Sequence, residues 1–291
     1  MPHLTRAGVR IYWEEDGQEA QERQEGQDAQ ERPREAVLLI MGLGATLEWW
    51  NRLRPLLASR FRTILFDNRG VGRSDVPPGP YAIPVMADDA SAVLDAAGVA
   101  AAHVVGFSMG GYIAQELVLR HPARVRSLVL GCTSCGGRDA VLAAPEVREA
   151  LAARTNMSRE EAMWSMAPYT FDASTPREVI AEEFARRLRT TVGDDGFFAQ
   201  LEAIRKWAGS LGRLGGVSVP TLVIHGETDA LVPPDNARIL ARAIPQATLV
   251  MLPRASHIFM TDQFEPASQA ILAFLDGASP ETSAAKALMG D

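Results

Sequence analysis

Short apolar runs alternate with amphipathic stretches through the middle of this chain, and no other feature restricts its fold as strongly. Apolar runs of strand length lie at residues 36–41, 63–66, 103–105 and 125–130, and the segments between them space their apolar residues as helices do. This alternation is typical of a parallel sheet with helices on both faces. The sequence therefore predicts an α/β protein.

The alternation stops after residue 134 and resumes at residue 216. The segment between contains no strand-like run, and its stretches with helical spacing lie at residues 141–154, 159–167, 176–190 and 196–207. Two more apolar runs follow, at residues 221–225 and 247–252. We predict a core of residues 1–134 and 216–291, with a mostly parallel eight-stranded sheet, and a helical cap (lid) of residues 135–215 inserted after the sixth strand.

The N-terminal part of the core adds one strand and one polar extension. Residues 9–14 alternate apolar and polar side chains, which predicts an edge strand. Residues 15–35 are rich in Glu, Gln and Arg and offer almost nothing to bury. We expect a solvated loop extension there, without a chemical role.

The apolar run at 103–105 ends in the pattern Gly106-x-Ser108-x-Gly110, and a helical pattern follows at once. This is the pattern of a nucleophile elbow, in which a sharp strand-to-helix turn exposes a serine hydroxyl. Glycine is needed at the flanking positions because the strand and helix backbones pass too close for a Cβ atom. Because so short a motif also occurs by chance, its interpretation depends on catalytic partners.

The partners of Ser108 should be a base that accepts its proton and an acid that orients the base. In an open parallel sheet, such groups lie in loops beyond the carboxyl ends of the strands. Asp229 follows the apolar run at 221–225, and His257 follows the run at 247–252. We predict a catalytic triad in which Ser108 is the nucleophile, His257 the base and Asp229 the acid.

Other residues compete for two of these roles. Among the five histidines, His225 is the serious competitor of His257, but its position at the end of a predicted strand favours a packed or supporting role. The competing carboxylates are Glu227, Asp235 and Asp139. Surface charge is the simpler interpretation of Glu227 and Asp235.

Acyl transfer also needs hydrogen-bond donors for the oxyanion that develops on the substrate carbonyl. One candidate is the backbone N–H of Met109, which follows Ser108 at a helix N-terminus, where the helix dipole is positive. The other is the backbone N–H of Leu43, between two glycines after the first parallel strand. An ordinary strand-to-helix turn is the alternative interpretation of the loop at Leu43.

The bulk properties exclude several classes of function. A net charge of −7 disfavours nucleic acid and anionic membranes as partners. No apolar run approaches the length of a membrane span, and the first ten residues lack the apolar region of a signal peptide, so we expect a cytoplasmic protein. Cys132 and Cys135 have the spacing of a redox pair or of half a zinc site, but we interpret them as small loop residues.

Five short stretches together resemble the α/β-hydrolase family, and in particular its esterase-like and enol-lactonase-like members with a helical lid. These stretches are residues 41–44, 67–74, 106–111, 225–229 and 256–257. The chain order Ser, Asp, His is also that of the family. The family often has His where Met41 stands, a difference that leaves the backbone donors unaffected. The resemblance covers both parts of the core and leaves the cap uncovered.

The resemblance implies a serine hydrolase that needs no metal or other cofactor and acts through an acyl-enzyme. Its loop at residues 67–74 contains Arg69 and Arg73, which we expect to stabilise loops through hydrogen bonds rather than to touch substrate. Serine at position 108 argues against the epoxide hydrolase and haloalkane dehalogenase relatives, which use aspartate there.

The leading functional hypothesis is hydrolysis of a small carboxylic ester or lactone. Cofactor-free haloperoxidases (perhydrolases) and C–C bond hydrolases share the same motifs and remain alternatives. An alternative of another class is a non-catalytic, ligand-binding receptor with the same fold. The sequence leaves the oligomeric state open.

Overall fold

The computed structural model of the chain describes residues 2–17, 34–154, 157–190 and 193–289. Its strands are β1 (His3–Arg6), β2 (Val9–Asp16), β3 (Ala36–Ile40), β4 (Arg62–Phe66), β5 (Ala102–Phe107), β6 (Val125–Gly131), β7 (Thr221–Gly226) and β8 (Ala247–Leu252). They form an eight-stranded sheet in the order β1-β2-β4-β3-β5-β6-β7-β8. Strand β2 is antiparallel to β1 and β4, whereas the pairs β3–β4, β3–β5 and β7–β8 are parallel. The predicted fold class is confirmed.

Helices lie between the strands and after β8. They are α1 (Leu53–Ala58), α2 (Ile83–Ala96), α3 (Met109–Arg120), α4 (Pro145–Ala153), α5 (Arg159–Thr170), α6 (Arg177–Arg187), α7 (Asp194–Lys206), α8 (Asp235–Ala243), α9 (Phe259–Asp262), α10 (Phe264–Leu275) and α11 (Pro280–Met289). Short 3₁₀ helices lie at Leu47–Trp50, Pro122–Arg124, Gly137–Asp139 and Leu211–Gly216. In the described part of the chain, none of the helices combines the length and the apolar character needed to cross a membrane.

Strands β3, β5 and β7 are buried at every position, as expected for parallel strands covered on both faces. Their apolar side chains exclude water from the middle of the sheet and make these strands the rigid support for the loops that follow them. Leu43, Ser108 and Asp229 lie in those loops, whereas His257 follows β8, which is only partly buried.

The chain divides into two compact units. The first consists of Met1–Leu128 with Val192–Trp207, and the second of Val129–Thr191 with Ala208–Asp291. Helix α7, which lies in the predicted cap, thus belongs to the first unit, and helices α4, α5 and α6 belong to the second. The predicted boundaries between core and cap stay a prediction.

Two features of the N-terminal part differ from the sequence prediction. The edge position belongs to β1, so the predicted edge strand, observed as Val9–Asp16, is second in the sheet. Strand β1 has no fully buried side chain and therefore no apolar signal in the sequence. Of the predicted solvated extension, residues 18–33 lie outside the described residues, and Glu15 and Asp16 belong to β2.

Candidate active site

Ser108 occupies a strained turn between β5 and α3. Its backbone has φ 55° and ψ −122°, a conformation that a residue with a side chain rarely adopts. A Cβ atom on Gly110 would lie 2.0 Å from the carbonyl oxygen of Ile40, so only glycine allows α3 to start so close to β3. The sequence motif therefore corresponds to a sharp strand-to-helix turn with serine at its tip.

The turn after β3 lies directly beside Ser108. A Cβ atom on Gly42 would fall 2.9 Å from the Cβ and 3.4 Å from the Oγ of Ser108. The turn is closed by a hydrogen bond from the N–H of Ala45 to the carbonyl oxygen of Gly42, at 3.2 Å. Leu43 thus lies in a tight turn next to the serine, and Met109 begins α3, where the first N–H groups have no partner within the helix.

Three buried side chains that the sequence analysis did not single out hold this turn. Asn68 donates to the carbonyl oxygen of Met41 at 3.0 Å, and Asp67 accepts the N–H of Leu47 at 2.8 Å. Gln200, from α7, accepts the N–H of Gly44 at 2.9 Å. These contacts fix both ends and the middle of the segment that contains Leu43.

The charged residues of the loop after β4 bind neighbouring elements of the protein. Arg69 is buried and donates two hydrogen bonds to Asp89 of α2, at 2.6 and 2.9 Å. Arg73 donates its backbone N–H to Asp67 and its guanidinium to Glu48. Burial raises the pKa of the Asp67 carboxyl, although the hydrogen bonds it accepts lower it in part. Both arginines make the loop contacts expected from the sequence.

In the second unit, the structure brings His257 to Asp229. The Nδ1 of His257 lies 2.9 Å from Oδ2 of Asp229, and Oδ1 of Asp229 accepts the N–H groups of Leu231 and Val232 at 3.0 and 2.8 Å. An ionised carboxylate can only accept hydrogen bonds, so Nδ1 carries the hydrogen and Nε2 carries the lone pair of the neutral ring. This tautomer is the one a general base requires.

Asp229 is ionised over the ordinary pH range. Burial by itself would raise the pKa of its carboxyl. The charge interaction with His257 and hydrogen bonds from His225 and His257 act in the opposite direction, and together they lower the pKa of Asp229 to about 2. The carboxylate can therefore stabilise a positive charge that develops on His257.

His225 supports this carboxylate. Its Nε2 lies 2.8 Å from the carbonyl oxygen of Val232, to which it donates, and 3.2 Å from Oδ2 of Asp229. The ring of His225 is completely buried, and its Nδ1 has no hydrogen-bond partner among the described residues. The side chain of His257, in contrast, is 10% exposed. A buried ring that donates to a backbone carbonyl is poorly placed to act as a base.

The other candidate acids are at the surface. Glu227 is exposed, Asp235 forms an ion pair with Arg238 at 3.2 Å, and Asp139 lies 4.0 Å from Arg138. Asp229 is the carboxylate that the structure brings to His257.

One further carboxylate holds the segment before His257 and was not predicted. Asp262 accepts N–H groups from Ser256 and from Asp172, which follows α5. Burial raises the pKa of Asp262, and the hydrogen bonds it accepts lower it in part. In the sequence, Asp262 is an ordinary acidic residue in a short helix, so no pattern could identify it.

Apolar side chains of α5 and α6 pack mainly against one another. They form a cluster of Met163, Ala167, Phe171 and Phe184, with Trp164, Ile180, Leu188 and Ile258 packed against it. Ile258 follows His257 directly, so this cluster also covers the segment that contains the histidine.

The two cysteines form no disulfide. Cys132 and Cys135 are both buried. Burial raises the pKa of the Cys135 thiol, which makes it a poor nucleophile. Within residues 2–17, 34–154, 157–190 and 193–289, no group of three or more His, Cys, Asp or Glu side chains is arranged to hold a metal ion.

The family that this sequence matches has the fold described above. The sequence matches the family described as the alpha/beta hydrolase fold over residues 35–263, which is more than half of the chain. A protein from Azorhizobium caulinodans named as a candidate carbamate hydrolase, RutD, is 33% identical over 226 residues, which cover 77% of this chain and 84% of that protein.

Two solved structures are similar in fold. The enol-lactonase from Burkholderia xenovorans LB400 has a TM-score of 0.79 and 28% identity, with 94% of this chain and 100% of that chain covered. The thermophilic esterase from Thermogutta terrifontis has a TM-score of 0.78 and 26% identity, with 95% and 99% covered. On the extent of the family match and the identity to its relatives, this chain belongs to the α/β-hydrolase family.

Proposed function

We propose that this hydrolase cleaves a small carboxylic ester or lactone through an acyl-enzyme formed on Ser108. The observation that carries the proposal is the closeness of Gly42 to Ser108, since a Cβ atom added to Gly42 would lie only 2.9 Å from the serine Cβ. A nucleophile at a strained turn, with a second turn beside it, has backbone N–H groups from Leu43 and Met109 available for an oxyanion. That arrangement suits acyl transfer.

In the first half of the reaction, Oγ of Ser108 attacks the substrate carbonyl carbon while Nε2 of His257 takes the hydroxyl proton. The carbonyl oxygen becomes an oxyanion, which the N–H groups of Leu43 and Met109 stabilise. When the tetrahedral intermediate collapses, the bond to the alkoxy group breaks and His257 returns the proton to the departing alcohol. An ester releases its alcohol, whereas a lactone keeps it attached to the acyl group.

In the second half, water attacks the acyl-enzyme and His257 takes its proton. Collapse of the second tetrahedral intermediate breaks the bond to Ser108, and His257 returns the proton to Oγ. In both halves, Asp229 holds the His257 ring in the required tautomer and stabilises the positive charge on that ring. The low pKa of the Asp229 carboxyl keeps it ionised for this role.

The ester and lactone classes are supported by the names of the similar structures, an enol-lactonase and an esterase. Carbamates are a second candidate class, because a relative at 33% identity is named for carbamate hydrolysis. The same residues could act on a carbamate carbonyl, but the nitrogen lone pair makes the resulting carbamoyl-enzyme less electrophilic. Carbamate turnover would then show a fast first turnover followed by a slower steady state.

The test combines active-site labelling with a substrate panel. Wild type, Ser108→Ala and Ser127→Ala are each treated with a fluorophosphonate probe and assayed on p-nitrophenyl esters, a simple lactone and an alkyl carbamate. Ser127 is the matched control because it is a buried serine whose Oγ lies 2.7 Å from Nδ1 of His103.

We expect Ser108→Ala to lose labelling and to lower kcat by at least roughly 10³-fold. Ser127→Ala should label like wild type. Full activity of Ser108→Ala would contradict the proposal. A wild type that neither labels nor turns over any substrate would favour the non-catalytic receptor, and turnover of the carbamate alone would favour the second class.

A further inference from the structure

Gln200 of α7 joins the turn beside Ser108 to the loop after β4. The side chain is completely buried. Its Oε1 accepts the N–H of Gly44 at 2.9 Å, and its Nε2 donates to the carbonyl oxygen of Arg69 at 2.8 Å. Because an N–H can only donate and a carbonyl can only accept, both partners require the same orientation of the amide.

Helix α7 touches both loops as well, one through its main chain and the other through the side chain of Phe197. A Cβ atom on Gly196 would lie 1.8 Å from the carbonyl oxygen of Gly70, and one on Gly44 would lie 2.6 Å from Cδ2 of Phe197. There is no space for even one additional carbon atom at either contact. Gln200 is therefore held close to the turn by the packing of its own helix, through the backbone at Gly196 and the side chain at Phe197.

The other end of the bridge is also fixed. Arg69, whose carbonyl oxygen accepts the hydrogen bond from Gln200, is itself held by its two hydrogen bonds to Asp89 of α2. A continuous series of buried polar contacts thus leads from Asp89 through Arg69 and Gln200 to Gly44. Each member of the series has a defined partner and a defined direction.

The consequence for Leu43 follows from the planarity of the peptide bond. The N–H of Leu43 and the carbonyl of Gly42 share one trans peptide plane and point in opposite directions. The hydrogen bond from Ala45 orients that carbonyl, and the hydrogen bond to Gln200 orients the next peptide plane, between Leu43 and Gly44. Together they determine the direction of the Leu43 N–H.

We propose that Gln200 is a positioning residue that orients the backbone N–H of Leu43 as an oxyanion donor, an inference that rests on the proposed function. It touches no reacting atom. Since oxyanion contacts strengthen only as negative charge develops, misorientation of the donor lowers kcat more than it changes KM. Removing one oxyanion donor altogether costs about 10²–10³-fold in kcat, so misorienting one should cost less.

The experiment compares Gln200→Met, Gln200→Glu and Glu202→Gln with wild type. Methionine is as long as glutamine but makes neither hydrogen bond, whereas glutamate keeps the acceptor for Gly44 and loses the donor to Arg69. Glu202, two residues further along α7, is half exposed and pairs with Arg205, so its change is the control for the helix. Fluorophosphonate titration counts the sites labelled at Ser108, and kcat is expressed per labelled site.

We expect Gln200→Met to lower kcat per labelled site by about 10–100-fold, with KM within about threefold of wild type. The kcat per labelled site of Gln200→Glu should lie between those of wild type and Gln200→Met. That of Glu202→Gln should match wild type. The affinity of a trifluoromethyl ketone, which forms a tetrahedral oxyanion on serine, should fall by the same factor as kcat/KM. A merely structural role would lower the fraction of labelled sites and leave kcat per labelled site unchanged.

Two outcomes overturn the inference in distinguishable ways. If wild type labels and turns over ester while both Gln200 variants keep kcat per site within twofold, Gln200 does not position the donor and the proposed function stands. If wild type neither labels nor turns over substrate, the proposed function fails and the role of Gln200 fails with it.

Discussion

Asp262 accepts the backbone N–H of Ser256 at 2.8 Å and thereby fixes the residue that precedes His257. The same oxygen accepts the N–H of Asp172 at 3.1 Å, while Oδ1 accepts the hydroxyl of Thr175 at 2.6 Å. One carboxylate therefore ties the segment of the proposed base to the turn between α5 and α6. The position of His257 depends on this tie as well as on Asp229.

Replacing Asp262 with asparagine or leucine should separate its charge from its hydrogen bonds. The amide oxygen of Asp262→Asn can accept both N–H groups, and its NH₂ can donate to the Thr175 hydroxyl. Asp262→Leu leaves the N–H groups of Ser256 and Asp172 unpaired, which costs roughly 2–4 kcal/mol of unfolding free energy. We expect urea denaturation to show this loss of unfolding free energy for Asp262→Leu and not for Asp262→Asn. The kcat of Asp262→Leu on p-nitrophenyl acetate should fall by up to about 10-fold. Equal stability and activity of the two variants would show that the hydrogen bonds do not matter.

The lowered pKa of Asp229 makes stability depend on pH. Folding lowers the pKa of this carboxyl from 3.8 to about 2, so its contribution is fully present above the unfolded value and is lost as the pH falls through the folded value. The contribution is about 2 kcal/mol near neutral pH. The difference in unfolding free energy between wild type and Asp229→Asn should therefore shrink by about 1–2 kcal/mol between pH 5 and pH 2.5. Asp235→Asn, at an exposed ion pair, is the control, and a pH-independent difference for Asp229→Asn would refute the assignment.

The contact between α7 and Gly70 predicts the sign of a stability change. Helix propensity alone would make Gly196→Ala stabilising by about 1 kcal/mol. The new Cβ would instead meet the carbonyl oxygen of Gly70 at 1.8 Å, and overpacking of this kind costs about 1–3 kcal/mol or more. Thermal unfolding of Gly196→Ala should thus show a Tm lower by roughly 3–10 °C. Gly212→Ala is the matched control, since no described atom lies within 4 Å of its added Cβ, and a raised Tm for Gly196→Ala would disprove the close contact.

The parts of the site that follow strands could be predicted from the sequence. Ser108 and Leu43 each follow a buried apolar run, and the structure shows the turns of both side by side. Asp229 and His257 also follow such runs, and the structure joins them by a hydrogen bond. In each case a local pattern, the end of an apolar run of strand length, identified the residue, although β8 before His257 is only partly buried.

The supporting residues could not be predicted because their partners are distant in the chain. Gln200 contacts Gly44 across 156 positions and Arg69 across 131, and neither pairing leaves a local pattern. For α7, apolar periodicity identifies a helix without identifying what the helix packs against. The short edge strand β1 could not be predicted because it buries no side chain completely and so leaves no apolar pattern in the sequence.

The backbone contact between Gly70 and Gly196 also limits how this hydrolase can be recombined with its relatives. A chimera that imports a foreign segment at residues 135–190 leaves α7 and its contacts as they are. One that extends through residue 207 replaces Gly196 and Gln200 together with the imported helices. A change of activity obtained with the longer graft would therefore include the loss of the contacts that hold Gly44 and Gly70, whereas the shorter graft keeps those contacts.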